Sequence, residues 1–482
     1  MEAFPTLKKS PLYEQLASEM AHQINSGVFK PGDRLPSVRQ ISRQKKFSVT
    51  TVLLAYQLLE NTGSIESRPQ SGYYVRTQPL PSVACLQPET STPSFQPAPL
   101  KANELTRQVL NDQNKPDLVQ FGAAIPSPDL LPTARLNRIL SQLAHHDDPR
   151  YNICGYIKGC VEIRMQIARR AFLSGCNLSP EEILVTCGCM EALHLALRSV
   201  CKTGDLVAIE SPTYFGVFHA LETLGLHALE IPTHHQDGIS LEALSFALEH
   251  HPVKAVLVIS NFNNPLGSCM PDENKRRLVE LLTKFDIPLI EDDIEGELSF
   301  DDQRPGVCKA YDKKGLVLLC SSFSKDISPS YRVGWIAPGR YLTQVENLKQ
   351  ATTLGSPILQ QLAIAQFLES GGYEHHLRKI RRAYAQKVAY MGHSVLRYFP
   401  AGTRVTSPSG GFVVWVQLSE KIDSVLLYHQ ALLNGITLAP GYIFSATTKY
   451  RNFIRLNAAY MSFTTERAIE KIGGILSKMM AD

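Results

Sequence analysis

Residues 315–335 read GLVLLCSSFSKDISPSYRVGW, an apolar run that ends in a polar turn carrying one lysine, Lys325. A nearly continuous Val/Leu stretch of this kind predicts a strand covered on both faces. Ser322 precedes Lys325 by three residues and Arg332 follows it by seven. A desolvated amine after a strand can form a Schiff base, and a guanidinium with a hydroxyl beside it suits a phosphate. A phosphate-bearing aldehyde needs this set from a protein.

The pattern extends outward from about residue 117. EILVT (182–186) leads into MEALHLALRSV, and VKAVLVIS (253–260) and IPLIEDD (287–293) repeat the apolar run. Such strands separated by helical patterns predict a mainly parallel sheet with helices on both faces. Their ends carry chemistry. EDDIEGEL (291–298) closes a strand with adjacent carboxylates, and a buried one such as Asp292 keeps a pyridinium nitrogen protonated. SNFNNPLG (260–267) offers the Asn264 amide before a proline-fixed turn, where it can donate to a ring's phenolic oxygen. ILVTCGCMEAL (183–193) is strand, glycine turn and helix, so the N–H groups of Gly188, Cys189 and Met190 form an anion site at a helix start. ESPTYFG (210–216) places Tyr214 where its ring can stack, and IRLNAA (454–459) carries Arg455, suited to a carboxylate by bidentate pairing. Each has an ordinary explanation as a turn, a cap or a core residue when taken alone. Their order along one chain is what carries information.

The N-terminal stretch is built differently. Leu12, Leu16, Met20 and Ile24 recur every four residues, as on one face of a helix. FKPGDRLP breaks that helix, and Ser37 can cap a second one over roughly 37–46. A third opens near Ser48 or Val49, with Val52, Ala55, Tyr56 and Leu59 facing inward, and NTG stops it. SIESRPQSGYYV then reads as a two-stranded hairpin. Residues 1–76 hold ten Lys/Arg against six Asp/Glu, and the rest of the chain holds 39 of each, so the net charge of +4 sits in this module. Three short helices, a hairpin and a basic excess predict a winged helix-turn-helix on double-stranded DNA.

Between the two parts, residues 77–99 hold six prolines in 23 residues and no Lys, Arg or Gly, which predicts a semi-stiff linker. A short helix is expected from Leu100 to about Leu110. With 482 residues, 44% hydrophobic and 20% charged, the composition is globular. No apolar run of 18 residues suggests a membrane span, and the first twenty residues lack the apolar segment of a secretory signal. Ten cysteines without metal spacing predict reduced thiols, no metal site and a cytoplasmic location.

The segment 11–75 closely resembles the GntR-type winged helix, through LYEQLA (12–17), PGDRLPSVRQIS (31–42) and SVTTVLLAYQLLENTGSIESRPQSGYYV (48–75). That resemblance implies Arg34 and Arg39 at the DNA backbone or a groove edge. It implies Ser48, Thr50 and Thr51 at the start of the recognition helix, and Arg68, Ser71 and Gly72 in the wing. Relatives commonly carry arginine where this chain has Val49 and Leu53. Arginine reads guanine edges, whereas valine and leucine make only apolar contacts such as to a thymine methyl. Either the operator differs, or binding leans on phosphate contacts from Arg43, Lys45 and Lys46.

The body resembles the fold-type I, aspartate-aminotransferase-like enzymes that use pyridoxal 5'-phosphate (PLP). It implies Lys325 as the Schiff-base lysine and Asp292 at the pyridine nitrogen. Asn264 falls at the phenolic oxygen, and Tyr214 stacked on the ring. Gly188, Cys189, Met190, Ser322 and Arg332 fall around the phosphate, and Arg455 at the substrate carboxylate. Two positions depart from the family. Glu295 stands where many relatives have a tyrosine bonded to the phenolic oxygen, and it would either keep an imine protonated or repel a phenolate. YNICGYIKGCVEIR (151–164) has lost the usual spacing, so Tyr151 and Tyr156 are both candidates to reach a partner's phosphate.

End to end, the architecture resembles the MocR subfamily of bacterial transcriptional regulators. The expected domains are a winged helix at 1–76, a proline-rich linker at 77–116 and an aminotransferase-like body at 117–482. Within the body, a mainly parallel large domain runs to about 340 and a smaller C-terminal α+β domain covers about 341–482. The resemblance implies a PLP-dependent, DNA-binding regulator that senses a small amino compound, with subunits paired head-to-tail as a homodimer and no membrane partner. The alternatives are a working aminotransferase with an auxiliary N-terminal module, and a sensor of PLP itself.

Overall fold

The computed structural model describes residues 11–25, 28–29, 32–61, 65–68, 71–75, 86–92, 96–98, 104–146, 148–152, 156–301, 303–447, 449–462 and 465–481. The chain divides into two compact units, Met1–Val83 and Ala84–Asp482.

In the first unit, α1 (Leu12–Asn25), α2 (Val38–Lys45) and α3 (Val49–Asn61) precede a hairpin of β1 (Ile65–Arg68) and β2 (Gly72–Val75). The apolar stripes meet through Leu16, Met20 and Ile24, which pack with Ile41, Val52, Ala55, Tyr56 and Leu59, whereas Leu12, in the first turn of α1, is exposed and outside this core. Ser37 caps α2 by accepting the Gln40 N–H, and the Ser48 hydroxyl accepts the Thr51 N–H at the start of α3. The buried Tyr56 ring is anchored by its hydroxyl, which donates to the Pro36 carbonyl at 2.6 Å. β1 and β2 pair antiparallel, with Arg68 opposite Gly72. Of the expected stop NTG, Asn61 ends α3, and Thr62 and Gly63 lie outside the described residues.

In the second unit, α4 (Glu104–Asp112), α5 (Thr133–Ala144), α6 (Val161–Leu173), α7 (Cys189–Val200) and α8 (Phe215–Thr223) are the first helices. The strands are β3 (Val119–Gln120), β4 (Leu184–Thr186), β5 (Leu206–Ser211), β6 (His227–His234), β7 (Gly238–Ile239), β8 (Val253–Val258), β9 (Leu289–Asp292), β10 (Val317–Ser322) and β11 (Gly334–Ala337). Seven of them with β4 form an eight-stranded sheet in the order β4-β11-β10-β9-β8-β5-β6-β7. The central run β10-β9-β8-β5-β6 is parallel, and antiparallel strands flank it on both sides. One face packs on α7 and α8, and the other on the helices that carry Leu244, Leu278 and Leu282.

The C-terminal layer adds β12 (Arg404–Val405), β13 (Val413–Gln417), β14 (Ile436–Thr437), β15 (Ala439–Pro440) and β16 (Phe453–Asn457). Four of these form a sheet in the order β12-β13-β16-β15. Its core also takes in Val109 of α4 and Phe121, and β14 pairs in parallel with β3. The buried Asp112 carboxylate accepts the Tyr428 hydroxyl. Residues 104–121 therefore complete the C-terminal layer.

The segment expected to be a linker is partly built into the body. Leu86 O accepts the Val405 N–H, Glu89 pairs with Arg404 at 3.0 Å, and Ala98 bridges Ala228. Residues 77–85, 93–95 and 99–103 of that linker lie outside the described residues, as do Cys85 and Cys154. The other eight cysteines are free thiols. No described helix is long and apolar enough to cross a membrane.

Candidate functional site

Four strands of the parallel run end on one side of the sheet; Asp292 is the last residue of β9, and the segments after β5, β8 and β10 carry Tyr214, Asn264 and Lys325. Open α/β sheets place ligands at this carboxyl edge. A cavity of about 180 Å³ lies there, lined by Cys189, Met190, Tyr214, Asn264, Asp292, Glu295, Ser324, Lys325 and Arg332, with Ala124, Ile125 and Pro126 closing it.

Lys325 follows β10, and its ammonium donates to Ala124 O at 2.5 Å and lies 5.6 Å from the centre of the Phe412 ring. Burial holds its pKa below the ordinary lysine value, which favours the neutral amine a Schiff base requires. Asp292 ends β9. Strand alternation turns it into the cavity while Glu291 and Asp293 face the other way. Glu291 accepts Ser260 Oγ at 2.6 Å and the Cys308 N–H at 2.7 Å, and Asp293 pairs with Arg304. Asp292 Oδ1 accepts the Ile294 N–H at 3.1 Å and the Cys189 thiol at 3.3 Å, and burial raises its carboxyl to about 6. Asn264 Oδ1 is buried and finds no partner among the described residues. Tyr214 caps α8 and packs at 4.5 Å on Phe215.

The turn between β4 and α7 is shaped by Gly188, which has φ 88°. A side chain there would collide with the Arg332 guanidinium, which donates from Nη2 to Cys187 O at 2.9 Å. Arg332 is thereby held over the start of α7, beside the free N–H groups of its first turn. Ser322 is placed elsewhere. It lines a smaller recess with Arg304 and Asp326, and its hydroxyl accepts the Ser324 N–H. Ser324, which the sequence reading passed over, is the serine on the cavity.

Arg455 sits on the central strand β16 and is fully buried. Its Nη2 donates to Gly122 O at 2.5 Å, while Nε and Nη1 have no partner among the described residues. Burial lowers its pKa to about 10. Two unpaired, buried guanidinium nitrogens are costly unless an anion meets them. Glu295 is also buried, with Oε2 unpartnered, and burial raises its carboxyl to about 7. Tyr151 is half-buried, and Tyr156 is 55% exposed.

These donors fit a pyridoxal phosphate. The set supplies an amine of lowered basicity, a buried carboxylate, a side-chain amide at Asn264, an aromatic ring and a guanidinium at a helix start.

In the N-terminal unit, Arg34, Arg39, Ser48 and Thr50 are exposed and Thr51 is half-buried. Arg34 bridges Tyr74 through the backbone and lies against Gly72. Arg68 pairs with Glu66 at 2.8 Å and stacks on the Tyr74 ring at 4.2 Å, and Ser71 bonds the Tyr74 hydroxyl at 2.6 Å. Val49, Leu53 and Leu54 are exposed on α3, so its outer face carries apolar side chains beside Thr50.

The Aminotransferase class I and II family matches residues 116–472, and Bacterial regulatory proteins, gntR family, matches residues 12–75. The chain belongs to the MocR-type, GntR-family transcriptional regulators. The HTH-type transcriptional regulators YdcR and YjiR of Escherichia coli K12 are each 38% identical to it, over 97% of this chain and 99% of theirs. Among solved structures it is similar to LysN, an alpha-aminoadipate aminotransferase from Thermus thermophilus complexed with N-(5'-phosphopyridoxyl)-L-leucine. The TM-score is 0.73 at 26% identity, over 79% of this chain and 96% of that one. This MocR-type chain thus joins a DNA-binding winged helix to a fold-type I, aminotransferase-like α/β body.

Proposed function

We propose that this regulator binds PLP at Lys325 and senses a small amino compound there, and that occupancy of the site changes its hold on operator DNA. The observation that carries the reading is the cavity that gathers Lys325, Asp292, Asn264, Tyr214 and Arg332 at one sheet edge. When bound, PLP supplies an aldehyde for amines and an electron-withdrawing ring. Lys325 offers the amine that the aldehyde takes up. Asp292 holds a proton at the ring nitrogen, with its orientation fixed by the Ile294 N–H and the Cys189 thiol. Asn264 reaches the phenolic oxygen and Tyr214 covers one ring face. The N–H groups of Gly188, Cys189 and Met190, with Ser324 and Arg332, hold the phosphate, and Ser322 supports the turn by accepting the Ser324 N–H. Arg455, with two unpaired nitrogens, takes the carboxylate of an amino-acid effector.

The N-terminal unit supplies the DNA contacts, from Arg34, Arg39, Ser48, Thr50 and Thr51 and from the wing at Arg68, Ser71 and Gly72. Its targets place it in the cytoplasm. The active form is a homodimer with subunits paired head-to-tail. In support, Val161, Met165 and Phe172 are exposed on one face of α6, and Val161 lines a cleft together with exposed Tyr156. Large exposed apolar patches mark association surfaces, and a second copy is the occupant we assign to this one.

The test is the purified full-length protein with PLP. A borohydride-reducible adduct should form and Lys325→Ala should abolish it; a persisting adduct puts the bond on another lysine. Operator affinity should then change when one amino acid of a panel is added. Steady keto-acid formation with operator affinity unchanged by PLP or any amine would support the aminotransferase reading instead.

A further inference from the structure

Asp292, Lys325, Arg332 and Arg455 all find a use in the proposed site. Glu295 does not. It is 2% exposed, lines the cavity, and its Oε2 has no hydrogen-bond partner among the described residues. The backbone packs against that oxygen so closely that a side chain at Gly411 would strike it, at 2.5 Å. A buried carboxyl oxygen with neither partner nor space for solvent on one side is costly as an anion.

The groups facing it fix which end of the cavity it occupies. Asp292 reaches it from β9, Lys325 from the turn after β10, Arg455 from β16 and Tyr384 from the long helix Gly372–Tyr398; the loop through Gly411 brings no charge. Glu295 Oε2 lies against Gly411, and the ring of the next residue, Phe412, lies 5.6 Å from the Lys325 ammonium, so Glu295 lies toward the Lys325 end. PLP bound at Lys325 has its aldehyde at that end, with the phenolic oxygen on the adjacent ring carbon. The acceptors that the cofactor itself would bring to that end are that oxygen and the nitrogen joined to the aldehyde carbon. An ionised carboxylate would repel a phenolate, whereas a protonated carboxyl is a donor.

We propose that Glu295 holds a proton in the PLP-bound protein and donates it in a hydrogen bond to the phenolic oxygen, so that PLP binding takes up a proton from water at neutral and alkaline pH. This rests on the reading that PLP binds at Lys325. Burial raises the Glu295 carboxyl to about 7, so the cofactor-free protein carries it largely ionised by pH 8. The proton is then acquired on binding and remains on the carboxyl, and no bond of the cofactor is broken by Glu295. The consequence is a pH-dependent affinity for PLP in the physiological range.

The experiment measures PLP affinity of the full chain from pH 6 to 9 for the wild type, Glu295→Gln and Glu295→Tyr. Both variants keep a donor that does not titrate in this range. The ratio of wild-type to Glu295→Gln dissociation constants should be flat below about 7 and should rise above it, toward tenfold per pH unit. Near pH 8, in weak buffer, the wild type should take up close to one more proton per site than either variant. Glu295→Tyr provides the second reference if the glutamine variant folds poorly. A ratio independent of pH, or equal proton uptake, overturns the inference while leaving PLP at Lys325 intact. Absence of any reducible adduct in the wild type overturns the parent reading and this one with it.

Discussion

A buried guanidinium with two nitrogens unpaired, as at Arg455, is a ligand site in need of an anion. Replacing Arg455 with alanine should weaken amino-acid binding by about 2–5 kcal/mol, the usual cost of removing one partner from a buried charge pair. PLP affinity should stay near the wild-type value, because the proposed phosphate contact is Arg332 and not Arg455. Titration calorimetry on the PLP-loaded protein separates the two, and equal losses for both ligands would place Arg455 at the cofactor. Residues of this kind were legible in the sequence because their chemistry is unusual after a strand. Lys325, Asp292 and Asn264 each follow an apolar run and come together on the cavity. Ser324 and the Cys189 thiol were not legible in these roles. Serines flank Lys325 on several positions, and which hydroxyl faces the cavity depends on how the turn leaves β10. The Cys189–Asp292 contact joins residues 103 apart, and no local pattern encodes it.

Whole elements are tied together around Glu297. Burial alone would raise its carboxyl, but Arg304, Arg170 of α6 and Arg381 of the long helix outweigh that and hold it at about 2. Its stabilisation is therefore complete above the ordinary carboxylate value and fades as pH falls toward 2. Glu297→Gln should cost about 3–5 kcal/mol at pH 7, because three guanidiniums lose their shared partner. The gap between wild type and variant in urea unfolding should narrow as pH falls from 5 to 3; a constant gap would mean that packing and not charge is responsible. At the N-terminal unit, α3 presents Val49 and Leu53 outward. Val49→Arg should shift operator preference from thymine toward guanine in a binding-site selection, whereas Arg39→Ala should lower affinity across sequences and reduce the log–log salt slope by about 0.9. Helix starts in this unit were readable to within a residue, since Ser37 caps α2 as its context predicts and α3 opens at Val49, where the Ser48 hydroxyl accepts the Thr51 N–H. The body's elements were readable as types. The antiparallel placement of β11 between β4 and β10 was not, because a short apolar strand looks alike in either direction.

For the molecule as a whole, composition separated a basic reader from a neutral body, but it hid where the chain between them is anchored. Prolines in 77–99 suggest an open spacer, yet extended backbone also pairs readily with a neighbour, and Leu86, Glu89 and Ala98 are bound to the body. Ten residues, 76–85, separate the hairpin's end at Val75 from Leu86. Ten residues at about 3.1 Å each reach about 30 Å, less than half the reach that a free 77–99 would give. A short spacer makes the reader sensitive to how the bodies are paired. Two readers on one dimer share a single binding event, and tethering of this kind raises affinity by about 10²–10⁴ over one reader alone. The pairing surface assigned to α6 can be broken without touching the cofactor site, by Met165→Glu together with Phe172→Glu. The double variant should sediment as a monomer and lose that same factor on an operator with two half-sites, while its affinity for a single half-site is unchanged. A double variant that remains dimeric would move the pairing surface off α6. A monomer that keeps full affinity for the two-half-site operator would show that each reader binds on its own and that the bodies contribute nothing to the grip on DNA.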